Sequence, residues 1–438
     1  MEVIDELTRP RNPDGLNDKR TLNGWALFDW ANSAFALVIT TAIFPPYFAA
    51  VIDDTFTVGG IEFIDSAWFT LLITVSYLFI ALFSPLLSGI ADAGGRRKFF
   101  LDVFTTMGGI GCLSLFFFEG MDQLWLGSLG FVLGLIGFAG GLVFYNSFLP
   151  VIATPDRFDS LSARGFAMGY VGSVILLIVN LMIVQKPEWF GLPTEGTLPV
   201  RIVFLTVGIW WLLFARISLS RLPADVRVPG NGLADMAARG WEEFKKVAVK
   251  VRASVPTTRF LTAFFLYSAG VQTVIFLASI FASKELGFET SELIVVVLIL
   301  QIVAIGGAYL ASFVSGKYGN KTGIYFQLVI WLGICLAGYF VQGKTTFYAV
   351  AAAVGLVMGG IQSLSRSTYA KLIPTRDDVT SYFSFYDILE KVAIVLGTFI
   401  FAGLNQLTGS MRLSLLALGL FFAAGMVVLA GFRVPRDK

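Results

Sequence analysis

The sequence predicts an all-α integral membrane protein of twelve transmembrane helices arranged as two six-helix bundles, and three observations carry that prediction. The 438 residues are 56% hydrophobic and 14% charged, against about 25% charged in a soluble domain, and the mean hydropathy is +0.76. Apolar stretches run on without the residue-by-residue alternation of an outer-membrane barrel strand, which excludes that architecture. Runs of about the 20 residues needed to cross a bilayer recur six times on each side of a hydrophilic stretch.

In chain order, a polar segment 1–23 precedes an apolar run, 24–50, that is too long for the core of a signal peptide. Further runs follow at 67–90, 99–118, 124–150, 163–184 and 201–219, completing a first bundle over 24–221. A linker over 222–259 leads to a second bundle, 260–432, with runs near 260–282, 293–313, 323–341, 347–370, 381–404 and 413–432, then a tail, 433–438. With Lys391 inside a span, 26 of the 32 Lys and Arg fall on the side of the two termini and the linker, and five on the other. That asymmetry places both termini in the cytoplasm, and the expected location is a bacterial inner (plasma) membrane. Glycines at 127, 130, 134, 137 and 141 mark one face of span four for close packing, and Pro45-Pro46 is expected to bend or end span one. In the linker, Leu233, Met236, Ala237, Trp241, Phe244, Ala248 and Val251 recur at helical spacing opposite cations, the pattern of an amphipathic helix lying on anionic lipid. A regulatory partner site is the other reading of that helix.

Composition also narrows the chemistry. A net charge of +2 gives no reason to expect nucleic acid as a partner, and the absence of histidine removes His-based catalysis and zinc sites. Cys112 and Cys335 both lie in apolar runs and read as packing residues. No nucleophile and base stand at a credible spacing, so an enzyme is not expected, nor a metal or cofactor. Gly338 to Thr345 matches the phosphate-loop pattern G-x-x-x-x-G-K-[ST]. That pattern needs a strand before it and an aqueous helix after it, and here it runs out of a span into a short turn.

The two halves repeat. The link after span two reads Ser88-Gly89-Ile90-Ala91-Asp92-Ala93-Gly94-Gly95-Arg96-Arg97-Lys98, and the link after span eight carries Gly316-Lys317-Tyr318-Gly319-Asn320-Lys321. Gly95 and Gly319 are 224 residues apart, and Pro155 and Pro374, after spans four and ten, are 219 apart. The first link resembles the signature of the major facilitator superfamily, G-x-L-A-D-R-x-G-R-K, although Ser88 and Ala93 depart from it and the second copy lacks the Asp. An Asp beside a tight glycine turn and cations suits a cytoplasmic gate of Asp92, Gly95, Arg96 and Arg97. Positive-inside anchoring explains the cations equally well, but not Asp92 with Gly95. Gly24 to Phe35 in span one, Tyr145 to Pro150, Gly270-Val271-Gln272-Thr273 and Gly359 to Ser367 are similar to the vacuole-effluxer-like branch of that superfamily. The resemblance implies a transporter whose central path is lined by spans one, four, seven and ten. Where the branch carries Asn-Asp in span seven, this chain has Ser268-Ala269, so the chain either manages without that acid or relies on Asp29 alone for coupling.

Ionisable groups inside spans are costly unless they face a partner or a cavity, which makes each a functional candidate. Asp29, Asn32 and Ser33 form one polar stripe, and Gln362, Ser365 and Arg366 form another that should face it. Asp29 and Arg366 either pair across the path or grip the two charges of a zwitterion; Arg366 as a cytoplasmic anchor stands beside these. Tyr145, Asn146, Tyr267 and Gln272 are candidate lining residues, each open to a purely interhelical role. In span eleven Asp387 pairs by spacing with Lys391, and Glu390 and Lys391 are secondary candidates for the proton or substrate path.

The expected function is secondary active transport by alternating access, proton-coupled, moving an amino acid or small peptide outward. A carrier of amphipathic drugs or lipids and a transport-inactive receptor or scaffold are the alternatives. The expected partners are a small solute, a coupling proton and the lipid bilayer, with the protein a monomer.

Overall fold

The computed structural model describes residues 15–226 and 233–432, so the expected tail 433–438 and most of the expected leading segment lie outside it. Helices dominate: α1 Lys19–Val51, α2 Asp65–Gly94, α3 Arg97–Phe117, α4 Met121–Ile152, α5 Pro155–Gln185 and α6 Leu198–Arg221 form the first half. The linker helix is α7, Leu233–Ala253. The second half comprises α8 Val255–Leu286, α9 Thr290–Tyr318, α10 Asn320–Phe340, α11 Lys344–Lys371, α12 Val379–Thr408 and α13 Met411–Ala430. Against the expectation of twelve spans, 11 helices among the described residues are long and apolar enough to cross a membrane. The other expected span, α12, is a 30-residue helix that carries Asp387, Glu390 and Lys391 near its middle.

Local chemistry sets the helix ends. The Asp18 side chain accepts from the Thr21 N–H and starts α1 inside the polar segment 1–23, satisfying an otherwise orphaned donor. Pro45 and Pro46 do not end α1. Residues Phe35–Ile43 adopt π-helical turns, and the helix then resumes over Phe44–Val51. Prolines in the first turn of that resumed helix remove only donors that a register change has already freed. A two-stranded hairpin, β1 Thr55–Val58 and β2 Ile61–Ile64, joins α1 to α2, and its end of the molecule is called the hairpin end. The linker helix and the start of α1 mark the opposite, linker end.

Within the halves, α1 packs on α5 and α6, α3 on α4, α9 on α11, and α8 on α12 and α13. The glycine face of α4 acts as predicted: a Cβ on Gly137 would come within 2.4 Å of the Gly108 Cα on α3, a separation that any side chain would force apart. Between the halves, α5 meets α9 and α11, while α12 meets α2 and α4. The linker helix does not simply lie on lipid. It packs on α2 so closely that a Cβ on Gly89 would fall 1.9 Å from the Gly240 carbonyl oxygen. It reaches the second half through a Phe244–Phe385 ring stack at 4.6 Å and a Lys250–Asp378 ion pair. Val251 of its apolar stripe, and Val247 outside that stripe, are buried against protein, while Trp241 is half-exposed. Its surface charge is also locally paired, Arg239 with Asp235 and Lys246 with Glu243.

Candidate functional site

The two polar stripes predicted on spans one and ten do face each other. Arg366 on α11 reaches Asp29 on α1, Nη1 to Oδ2 at 3.2 Å, with both side chains almost fully buried. Asp29 Oδ2 also accepts from the Tyr145 hydroxyl at 2.7 Å, and Tyr145 is held by stacking on Trp25 and Phe28. Four of the five guanidinium N–H groups are used: besides the Asp29 contact, Nη1 donates to Asn146 Oδ1 at 3.2 Å, Nε to Ser162 Oγ at 2.9 Å, and Nη2 to the Ser162 carbonyl at 2.8 Å. Its carbon lies 4.1 Å from the Phe166 ring centre and 4.7 Å from that of Trp25, contacts that suit a planar, weakly hydrated cation. Gly165 makes room for the pair, since a Cβ there would stand 2.5 Å from Asp29 Oδ2. The anchor reading of Arg366 is therefore wrong. In this state its charge is paired with Asp29 rather than left open to a solute carboxylate.

Beside this pair lies a cavity of about 1310 Å³ between the halves, open solvent included. Spans one, four, seven and ten line it as predicted, through Asp29, Asn32, Ser33, Asn146, Gln272, Gln362 and Arg366. Tyr77, Tyr170, Gln301, Glu390 and Lys391 add α2, α5, α9 and α12 to the wall. Tyr267 and Ser365 do not line it. They bond to each other at 2.7 Å and border an adjoining space of about 220 Å³ that shares Gln272, Gln362 and Glu390 with the main cavity. Gln362 Oε1 accepts from Tyr170 at 2.7 Å. The Asn32 Oδ1, buried in the wall, has no hydrogen-bond partner.

On α12, Lys391 Nζ lies 2.6 Å from Asp387 Oδ1 and 3.6 Å from Glu390 Oε2, the pairing its spacing predicted. Gln272 on α8 donates to Glu390 Oε1 at 3.2 Å.

At the linker end, Gly95 turns the chain between α2 and α3 with φ of +61°, in the left-handed region that glycine enters without strain. The turn leaves Asp92 at the N-terminus of α12, where its carboxylate accepts from Ser381 N at 2.7 Å and Thr380 N at 3.2 Å. A carboxylate on orphaned donors at the positive end of a helix dipole is a favourable contact. Arg97 completes it, bonding Asp92 at 3.4 Å and Thr380 Oγ1 at 2.9 Å. Arg96 does not join: its buried Nε has no partner among the described residues. The Ser84 and Ser384 hydroxyls meet nearby at 2.9 Å.

Sequence reasoning missed the matching contact on the other side. The second-half link lacks an Asp, but Asp159 at the start of α5 supplies the carboxylate from the first half. It accepts from Ser315 at 2.9 Å, Asn320 at 2.8 Å and Lys371 at 2.8 Å. A signal was present: Pro155-x-Arg157-x-Asp159 repeats as Pro374-x-Arg376-x-Asp378, and Asp378 in turn stands just before α12 and pairs with Lys250. Among the described residues, the hydrogen bonds that join the halves run from the linker end up to the Tyr170–Gln362 level, so the cavity is closed on that side. The phosphate-loop look-alike sits on the end of α10, a short turn and the start of α11, with no strand before it.

Comparison with known proteins agrees with this architecture. A family model described as vacuole effluxer Atg22 like matches residues 17–438. The chain is 30% identical to the uncharacterized MFS-type transporter YxiO of Bacillus subtilis, over 93% of this chain and 94% of that one. It is 26% identical to autophagy-related protein 22 of Saccharomyces cerevisiae, over 86% of this chain and 80% of that one. Among solved structures it is similar to the major facilitator transporter FucP in the outward conformation, with a TM-score of 0.70 at 14% identity, covering 95% and 99% of the two chains. The human organic anion transporter MFSD10 gives 0.70 at 14% identity, covering 96% and 100%. With a family match over nearly its whole length and the two-bundle fold around a central cavity, this chain belongs to the vacuole effluxer Atg22-like family of major facilitator transporters.

Proposed function

We propose that the protein is a proton-coupled secondary transporter that exports an amino acid or small peptide by alternating access, with the linker end in the cytoplasm of a bacterial inner membrane. The observation that carries this reading is the central cavity, closed at one end by contacts contributed by both halves and walled by charged residues from each. In the state described, Asp29–Arg366 and Asp92 on α12 hold the linker end shut; rocking the halves apart breaks those contacts and opens the cavity to the other side. The wall sets Asp29, Arg366, Glu390 and Lys391 beside apolar Leu37, Phe138, Leu142, Ile275, Phe276 and Met358, a lining that accepts a charged head with an apolar side chain. Tyr145, Asn146 and Tyr170 then serve as supports of the lock, and Asn32, Ser33, Gln272, Gln362, Glu390 and Lys391 as the solute and proton path. Purified protein in liposomes should exchange radiolabelled leucine in counterflow, and net leucine flux down an imposed leucine gradient should shift the lumenal pH. Leucine flux no greater than in empty liposomes contradicts the reading.

A further inference from the structure

The charges around the cavity do not balance, and the imbalance names a ligand chemistry. Asp29 and Arg366 neutralise each other. On α12, two carboxylates, Asp387 and Glu390, face a single ammonium, Lys391, which is closer to Asp387. Glu390 is the more exposed of the two, at 23% of its side chain against 5% for Asp387, and it lies in the cavity wall. The groups that face it from other helices supply no second cation. Tyr77 comes from α2 and Tyr267 and Gln272 from α8; Tyr386 is its neighbour on α12. On α4, Tyr145 is engaged with Asp29, and on α13 the cation Arg412 is paired with Glu285. Lys250 of α7 is at the far end of α12, on Asp378. One negative charge is therefore left over in a setting where an uncompensated charge is expensive.

Two things can neutralise it: a proton on Glu390, or a cation from the solute. The rest of the wall favours a donor-rich cation. Among the described residues, Asn32 Oδ1, on a residue only 1% exposed, and Gln301 Oε1 are unpartnered acceptors at the cavity, and Asp387 Oδ2 is unpartnered as well. A primary ammonium offers three donors and no acceptor. A solute carboxylate finds no uncompensated guanidinium, since Arg366 is already paired with Asp29.

We propose that Glu390 is an exchange site at which the primary ammonium of the solute and a proton compete for one carboxylate. This rests on the transporter reading above. As R–NH3+ binds, the O–H bond of protonated Glu390 breaks and its proton leaves to the aqueous side. One positive charge enters and one departs, so the cluster of Asp387, Glu390, Lys391 and the bound ammonium or proton is neutral in both forms. The empty, deprotonated form alone carries the buried surplus charge, which disfavours its reorientation and makes exchange obligatory.

The test uses full-length protein with three probes: leucine, leucinamide, which keeps the ammonium without a carboxylate, and N-acetylleucine, which keeps the carboxylate without an ammonium. Leucinamide and leucine should bind and N-acetylleucine should not. In the acid range the leucinamide affinity of the unmodified protein should fall about tenfold per pH unit, the slope for displacement of one proton. Glu390→Gln should bind leucinamide more weakly and without that slope, while Asp29→Asn should keep the slope. Binding that survives N-acetylation, or a leucinamide affinity independent of pH in the unmodified protein, overturns the exchange site; if leucine counterflow persists in that case, the transporter reading stands. Absence of both binding and counterflow overturns the two together.

Discussion

Arg366 shows how a buried charge is held in this fold. Its partners come from α1, α4 and α5, so one side chain of the second half gathers three helices of the first. Arg366→Ala removes the cation and leaves Asp29 buried with only the Tyr145 hydroxyl. Breaking such a pair costs about 3–5 kcal/mol, and the melting temperature should fall accordingly. The double variant Asp29→Asn with Arg366→Gln removes both charges and should recover a large part of that loss. A double variant that melts no higher than Arg366→Ala would show that the pair does not carry the contact. This pair was legible in the sequence because charges in apolar runs are rare and the i, i+3 and i+4 spacing fixes their face. Tyr267 and Ser365 were misplaced because the same spacing does not say how far a side chain stands behind a neighbouring helix. Asp159 was passed over because it falls at the mouth of a span, where an acid reads as ordinary first-turn chemistry.

The linker helix is the element whose role changed most between sequence and structure. Its amphipathic stripe showed that one face is covered, but lipid and protein look alike to a hydrophobic pattern. The structure covers part of it with α2 and α12, making α7 a strap across the two halves beside the contact of Asp92 with α12. The Lys250–Asp378 pair at its end has a definite pH window. Burial pushes the Asp378 carboxyl up, but hydrogen bonds from Lys250 and Thr375 outweigh it and hold the group below its ordinary 3.8. The same bond raises the Lys250 ammonium above its ordinary 10.5. A carboxyl lowered on folding stabilises the closed strap above its ordinary value and loses that as pH falls through the lowered one; a raised ammonium contributes below its ordinary value and is lost as pH rises past it. Hydrogen-exchange protection of α7 should accordingly stay level from about pH 5 to 9 and drop in stronger acid, and Asp378→Asn should remove the acid-side drop. Protection that rises or falls steadily across neutral pH would contradict the pairing. The π-helical turns of α1 had no comparable signature, since two prolines in sequence read as a stop and the register change that absorbs them is set by packing.

At the scale of the molecule, the six-plus-six repeat, the glycine turns after α2 and α9 and the polar stripes already outlined two bundles around a central path. What the sequence could not supply was the state of that path, because open and closed arrangements bury nearly the same residues and differ in which contacts cross between halves. The structure holds the linker end closed by Asp92 on α12, Asp159 on the second-half link, and Asp29–Arg366. Alternation between this state and its reverse is the central claim, and a covalent lock tests it without knowledge of the solute. The Ser84 and Ser384 hydroxyls are 2.9 Å apart across the closed end, so Ser84→Cys with Ser384→Cys should form a disulfide. A reporter, Gln301→Cys in the cavity wall, should react with an impermeant maleimide from either side of the membrane before oxidation. After oxidation it should react from the hairpin side only, and reduction should restore labelling from the linker side. Labelling from the linker side that is unchanged by the disulfide would contradict alternating access through this cavity.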